Sequence, residues 1–544
     1  MADANQNRFD VVIVGAGFSG MYLVHLCRER GLSCVVLEKG HDVGGTWYWN
    51  RYPGARCDVP TVEYSYSFDK ALEQEWDWSE LMCTQPEILT YANHVADRHK
   101  LRDDMRFGRT VTAAAYDEAR ARWSVTAEVD SGHSETYDAQ HVVMATGCLS
   151  VPNWPAIEGR DDFAGTVYHT GLWPHEPVDF TGLTVGIIGT GSSAVQSIPE
   201  IAKTAKHLHV FQRTPVYTMP AENEPLDDAF RADIKSRYAK IRDTQRGSLA
   251  GMALYGVMGR LQELSSDNIM DLTEEERLAR LDDDGLPSLR RYPDVLMNLT
   301  ANEVACDMYR DYVASVVGDD ATADALMPRG YPIGCKRQVI DIGYYEAFNR
   351  DNVTIVDLRK VPIRKITATG LETEAASWDF DVLVYATGFD AMTGAITGVD
   401  IAGRNGQRLS DKWQDGPRTY LGLQTAGFPN LFTVTGPGSP SVLSNMMVSI
   451  EQHCEWISDC MANLRDRNLA SIEAEAGAED AWVEHVNDVA KGTMLVADSC
   501  NSWYLGANIP GKPRIFMPYV GGVGNYRRKC DEVVANGYEG FALA

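Results

Sequence analysis

The chain is 544 residues long, 44% hydrophobic and 23% charged, with a formal net charge of −26. At roughly 150 residues per domain, that length exceeds a single core and allows three or four units. The acidity argues against nucleic acid or an anionic membrane surface as partner, and no apolar run reaches the ~18 residues of a membrane span. The polar start, Met1 to Arg8, has no secretory h-region, so a cytoplasmic protein is expected, with no obligate protein partner. Eleven cysteines are scattered without any Cys-x-x-Cys. That pattern speaks against a disulfide scaffold, a zinc ribbon or a dithiol redox centre, and no metal site is expected.

Phe9-Asp-Val-Val-Ile-Val14 reads as a buried strand by its length and β-branching. It runs into Gly15-Ala-Gly17-Phe18-Ser19-Gly20 and then an amphipathic helix. Glycines at such a turn let backbone approach a pyrophosphate, whose charge sits on the helix N-terminus. The second strand, Ser33–Glu38, ends in an acid about 20 residues past the loop, where a carboxylate accepts from ribose hydroxyls. Strand, loop, helix, strand and acid in register predict a dinucleotide, and the N-terminal position with Glu38 favours FAD. Next, Gly44-Gly-Thr46-Trp47-Tyr48-Trp49-Asn-Arg-Tyr-Pro-Gly-Ala-Arg-Cys-Asp58 crowds four aromatics into one loop. Such a loop suits a flat apolar ring with one charge beside it. From Phe107 to about Met144, short alternating strands with turn signals suggest a β-meander, closed by His141–Met144 and Ala145-Thr-Gly147. A similar strand and turn recur at Asp381–Gly388, and the two returns mark passages between domains.

Between these returns, Phe163-Ala-Gly-Thr-Val-Tyr-His169-Thr-Gly-Leu-Trp173-Pro174 reads as a connector. His169 can hydrogen-bond through both ring nitrogens, and Trp173 can wedge between packed bodies. A second Rossmann turn follows: strand Leu183–Ile188, then Gly189-Thr190-Gly191-Ser192-Ser193-Ala194 and a helix carrying Gln196. Its second strand, His207–Gln212, ends in Arg213-Thr214 where NAD sites place an acid. An arginine there suits a 2′-phosphate by charge and bidentate geometry, which points to NADPH. Residues from about 221 to 330 turn helical. Leu226, Phe230, Ile234, Tyr238 and Ile241 recur at helical spacing, Thr273–Glu276 and Thr300–Glu303 read as capping boxes, and Asp282–Asp284 as solvated loop. Lys336-Arg337 then puts two cations in a Gly/Pro loop, equally readable as solvated surface or phosphate clamp. The strand Val353–Asp357 resumes the nucleotide fold. Gly436–Ser441 is a tight loop ahead of a helix whose Ile450, Cys454, Ile457, Met461 and Leu464 form an apolar stripe. Asn501–Pro513 is too polar for core and too aromatic for a linker.

The stretch 163–174 fits F-x-G-x-x-x-H-x-x-x-W-P, and residues 44–58 fit [AG]-G-x-W-x(4)-[FY]-P-G-x(3)-D. Both resemble fingerprints of the type I Baeyer–Villiger monooxygenases, and the resemblance extends over nearly the whole chain. It implies an α/β architecture of two Rossmann-like dinucleotide-binding domains, for FAD and NADPH, with a mostly helical insertion in the NADPH domain. The corresponding units are 1–150 and 389–544 for FAD, 151–220 and 331–388 for NADPH, and 221–330 for the insertion. The implied reaction is NADPH- and O2-dependent oxidation of hydrophobic ketones to esters or lactones through a flavin C4a-peroxide. By the same resemblance Arg337 is the catalytic arginine, oriented by Asp58, and Lys336 is a second holder of the 2′-phosphate. Trp47, Tyr64, Val111 and Met446 would lie near the flavin, Ser441, Val442, Leu443 and Ser444 would line the substrate pocket, and Trp503 would reach the nicotinamide from a mobile lid. His169 and Trp173 would couple the two halves. Three alternatives are a flavin-dependent N- or S-oxygenase, a plain NADPH-dependent flavin reductase, which the absence of a redox cysteine pair speaks against, and, from another class, a non-catalytic dinucleotide sensor.

Overall fold

Each glycine loop opens one of two sheets. In the computed structural model, which describes residues 7–253 and 266–544, β1 (Arg8–Val14) pairs in parallel with β2 (Cys34–Glu38). Val11, Val12 and Ile13 are fully buried, as a strand covered on both faces requires. Beyond β2 lies β3 (Met105–Phe107), while β4 (Arg109–Asp117), β5 (Arg122–Val129) and β6 (Ser134–Met144) form the expected antiparallel meander. β6 returns parallel to β1 and completes the crevice over the first glycine turn. Two short strands from the C-terminal third, Asp400–Ala402 and Leu431–Thr433, join this eight-stranded sheet. The helix Met446–Asp466 buries Ile450, Cys454, Ile457, Met461 and Leu464 in the same core as Met21, Leu23 and Val24.

The second sheet is parallel throughout and has five strands. Its order is Val353–Asp357, β9 (His207–Gln212), β8 (Thr184–Ile188), Val382–Tyr385 and β7 (Thr166–His169). The connector predicted around His169 is thus the edge strand of this sheet, with Tyr385 opposite His169.

The insertion departs from the sequence reading in three ways. The helix Asp228–Gly247 packs Ile234, Tyr238 and Ile241 into the core of the first sheet, whereas Ile269, Leu286, Ala305 and Tyr309 belong to that of the second. Thr273 and Glu276 do form a reciprocal capping box, but Thr300 and Glu303 do not. The helix Leu299–Val316 starts earlier because the Asn298 side chain already accepts from the Thr300 and Ala301 amides. Asp282–Asp284 end the helix Glu274–Asp284; they are solvated yet helical. Residues 1–6, on which the reading of the N-terminus rests, and 254–265 of the insertion lie outside the described residues. Among the described residues no helix is long and apolar enough to cross a membrane. Nine cysteines are free and buried, and Cys335 and Cys500 form one disulfide across 165 residues of sequence, a pairing that the sequence reading did not single out.

Candidate active site

The first glycine turn is built for a ligand. Gly15 has φ +105, and a Cβ there would stand 2.8 Å from the Ala145 carbonyl oxygen, so only glycine fits under β6. Gly17 caps the helix Phe18–Glu29 without any side-chain acceptor, which leaves the helix's first amides free to meet an anion. Ser19 and Gly20 are buried behind them. Glu38 is 7% exposed and accepts from the amides of Ala16 (2.7 Å) and Gly40 (2.6 Å). Burial raises its pKa, against the lowering effect of those two bonds. The carboxylate therefore ties the loop together, and its remaining lone pairs can serve a ribose. Phe18 packs edge-on to Tyr64 at 5.9 Å, and Trp47 Nε1 donates to the Tyr64 hydroxyl at 3.2 Å. Thr46 is exposed on the same turn, and Lys39 lies over the Trp49 ring. Val111 is buried at a bulge in β4. These residues fit FAD: an uncapped helix start, an acid at the ribose position and a wall of aromatic rings.

The second turn repeats the device. Gly189 has φ +112, Gly191 caps the helix Ser192–Ala202 without a side chain, and a Cβ on Gly191 would meet nothing. Thr190 donates to the Thr214 carbonyl at 3.0 Å, Ser193 exchanges a hydrogen bond with Thr170 at 2.9 Å, and Ala194 is fully buried where a third glycine often stands. Arg213 is exposed beside this mouth. Lys336 lies close enough for its pKa to fall to about 8, through burial first and the charge of Arg213 second. Its ammonium stands 4.2 Å from the centroid of the Tyr331 ring. Two cations acting on each other at the end of β9 fit the 2′-phosphate of NADPH. Gln196, expected at the coenzyme, is buried on the helix Ser192–Ala202. It accepts from the Tyr52 hydroxyl at 2.8 Å and donates to the Arg56 carbonyl at 3.2 Å, clamping the 44–58 loop onto the coenzyme half.

Arg337 and Asp58, 279 residues apart, meet between the two halves. Arg337 Nε donates to Asp58 Oδ2 at 2.6 Å and Nη2 to Oδ1 at 2.7 Å. Nη1 donates to the Val442 carbonyl at 2.6 Å. The two side chains keep 30% and 28% of their surface exposed, so the pair faces open space. Burial pulls the guanidinium's pKa down, but Asp58 and then Tyr504 outweigh it and hold the value well above the ordinary one. Three features that the sequence reading missed support this geometry. Asn302, 1% exposed on the inserted helix, bonds both the amide (3.0 Å) and the carbonyl (2.9 Å) of Ile333 and so fixes the Arg337 loop. Tyr504, beside Trp503, contacts the guanidinium from the 501–513 segment, and the backbone of Val442 supplies the third acceptor. None carries a sequence signal, because each acts through its position in space. Among the residues expected to line the substrate pocket, Ser441 turns its hydroxyl to the Thr435 carbonyl (3.0 Å) and Ser444 to the Ser441 carbonyl (2.8 Å). The wall they present is accordingly apolar, with Leu443 and Met446 packed beside them.

His169 is 1% exposed. Its Nδ1 accepts from the Gly171 amide at 3.0 Å, which leaves the proton on Nε2, 3.3 Å from the Thr387 hydroxyl. That hydroxyl donates to the Asn153 carbonyl at 2.6 Å. The ring thus sits where both crossings between the halves, near 153 and 387, pass each other. Burial pushes its pKa down to about 4, so it is neutral at ordinary pH. Trp173 packs on Tyr168 and Phe180 inside the second core and does not wedge between bodies. The bridging aromatic contact is instead Tyr48 on His175, with ring centroids 4.6 Å apart.

Two such turns, with a charged pair where the halves meet, define a two-dinucleotide flavoprotein. A family described as pyridine nucleotide-disulphide oxidoreductase matches residues 12–252. The chain is 39% identical to an acetone monooxygenase (methyl acetate-forming) of Gordonia sp. strain TY-5, over 98% of this chain and 99% of the relative. It is 37% identical to a phenazine N-monooxygenase of Lysobacter antibioticus, over 100% and 98%. A solved steroid monooxygenase bound to NADP superposes with a TM-score of 0.90 at 47% identity, over 98% of this chain and 99% of that one. The chain belongs to the type I Baeyer–Villiger monooxygenases, FAD- and NADPH-dependent enzymes that oxidise ketones with dioxygen.

Proposed function

We propose that this enzyme converts small, uncharged hydrophobic ketones to esters or lactones, with Arg337 as the group that holds negative charge at the reacting oxygen. The observation that carries the reading is the two-point bond between Arg337 and Asp58, each from a different half of the molecule. Bound FAD, reduced by NADPH, supplies the activation of dioxygen. A permanently charged, planar donor fixed on two edges can stabilise an oxygen that gains charge as it bonds to a carbonyl carbon, without reorganising. Asp58 orients that donor, and the inward-turned hydroxyls of Ser441 and Ser444 leave an apolar wall for the substrate. Lys336 and Arg213 hold the 2′-phosphate, and His169 keeps the two crossings in register.

The test is Arg337→Ala with ester and NADPH measured together. Removing one preorganised donor costs ~10²–10³ in rate, so ester formation should fall by that factor while NADPH is still consumed and hydrogen peroxide is released. Arg337→Lys should recover little, because a point charge cannot bond both Asp58 oxygens and the Val442 carbonyl in one plane. Ester formation restored by raising NADPH would reduce Arg337 to a coenzyme anchor. The substrate panel should include a nitrogen heterocycle, since a relative named for N-oxygenation matches the full length of the chain.

A further inference from the structure

We propose that Cys335 and Cys500 are a reversible thiol–disulfide modification site that fastens the Trp503 segment to the Arg337 loop, with hydrogen peroxide as oxidant. The inference rests on the reading of residues 501–513 as a lid. Cys335 directly precedes Lys336 and Arg337, and Cys500 stands three residues before Trp503. Their Cα atoms are 6.1 Å apart, within the span that a disulfide bridges. Both are fully buried, and among the described residues they form the disulfide while nine other cysteines remain free. Cys500 Sγ also lies 3.0 Å from the Cys335 carbonyl oxygen, an acceptor that a thiol would use. The site thus accommodates both redox states.

The location gives the bond its consequence. Apart from it, noncovalent contacts hold the segment. Arg514 donates to the carbonyls of Cys500 (2.7 Å) and Ala497 (2.8 Å), Asn508 to that of Phe389 (2.9 Å), and Lys512 to Asp390 (2.5 Å). Contacts of this kind break and reform as a lid moves, whereas a disulfide does not. Because Tyr504 reaches the Arg337 guanidinium, a bonded lid stays on the charged pair and blocks exchange of coenzyme and substrate.

The chemistry balances without a further partner. The Cys500 thiolate attacks peroxide, its sulfur takes one oxygen as a sulfenic acid and one water leaves. The Cys335 thiolate then displaces that oxygen as a second water and forms the S–S bond. Two thiols and one hydrogen peroxide become one disulfide and two waters. An oxygenase that reduces dioxygen without a ketone in place releases this oxidant itself, so the device would close the enzyme when it runs unproductively.

The test uses the full-length FAD-loaded enzyme, reduced with a dithiol and desalted, then treated with hydrogen peroxide followed by catalase. Non-reducing peptide mapping should show the Cys335–Cys500 cross-link in the peroxide-treated sample alone. Oxidation should slow both steady-state ketone turnover and tryptic cleavage after Arg514 by at least about ten-fold, each restored by dithiol. Cys500→Ser and, as a second variant, Cys335→Ala should show neither response. Absence of the cross-link, a cross-linked enzyme with unchanged turnover and cleavage, or the same losses in Cys500→Ser would each overturn the proposal. A reduced wild type without ketone turnover would count against the functional reading instead, and the cleavage assay would still decide this one.

Discussion

The environment of Lys336 makes the ligand proposed for it testable by pH. Its ammonium titrates near 8 because it is buried and because Arg213 repels it. A 2′-phosphate placed between the two cations would raise that pKa. The attraction is therefore fully present below about 8 and is lost as pH climbs through the higher, bound-state value. The phosphate's own second ionisation near 6 sets the lower edge. We expect KM for NADPH to be flat between those limits and to rise above pH 8, while KM for NADH, which lacks the phosphate, stays level. Arg213→Ala should move the onset to higher pH, because the repelling charge is gone, and should weaken NADPH binding by ~10-fold or more, the value of one charge-assisted bond. A pH-independent preference for NADPH would mean that Lys336 does not touch the phosphate.

At the scale of elements, the edge strand β7 shows what the sequence made legible and what it hid. Strands and glycine turns were readable because each is local: β-branched runs, a forced positive φ and an uncapped helix start all fall within about 15 residues of each other. Arg337 was not legible by that route. Two adjacent cations in a loop have no local partner, and Asp58 lies 279 residues away, so only family resemblance singled the pair out. The same blindness covers Asn302, whose amide bonds the Ile333 backbone, and Cys335 with Cys500, whose meeting depends on the return of a distant loop. Gln196, placed at the coenzyme by its position beside a glycine turn, also has a tertiary role that no local pattern shows, since its side chain bonds Tyr52 and Arg56. For His169 the structure sharpens the expectation. A neutral ring bonded to Gly171 and the Thr387 hydroxyl positions two crossings and titrates only near 4. His169→Ala should therefore slow NADPH-driven flavin reduction, seen by rapid mixing, while ester formed per NADPH consumed stays near wild type. No step between pH 5 and 9 should be traceable to this ring. A variant with normal reduction but little ester would place His169 at the reacting centre.

Across the whole molecule, the inserted segment acts as a brace between the halves: among its described residues, Leu226, Ile234, Tyr238, Ile241 and Ala253 lie in the first core and Ile269, Leu286, Ala305 and Tyr309 in the second. Its anchor to the flavin half is polar as well as apolar. Arg242, 3% exposed, donates to Glu73 at 2.8 Å, Ser65 at 2.8 Å and Gln245 at 3.0 Å. Just beyond this helix, the Ala253 amide donates to Glu63 at 2.6 Å, and the Glu63 carbonyl accepts from Asn445, the cap of the helix that follows the 441–444 loop proposed to line the pocket. Removing one partner of a buried ion pair costs about 3–5 kcal/mol, far more than an exposed pair contributes, and here leaves the buried Glu73 to the exposed Lys70 ammonium at 3.1 Å. Arg242→Met should therefore lower the urea midpoint of the transition seen by flavin release, and the apolar double variant Arg242→Met with Glu73→Leu should recover much of the loss. Turnover per folded molecule should change little in both, because the bonds between Arg337 and Asp58 are untouched. A cost below about 1 kcal/mol in the single variant would assign the brace to the apolar face of Ile234, Tyr238 and Ile241 alone. A normal midpoint with lost turnover would instead connect this network to the pocket loop through Asn445.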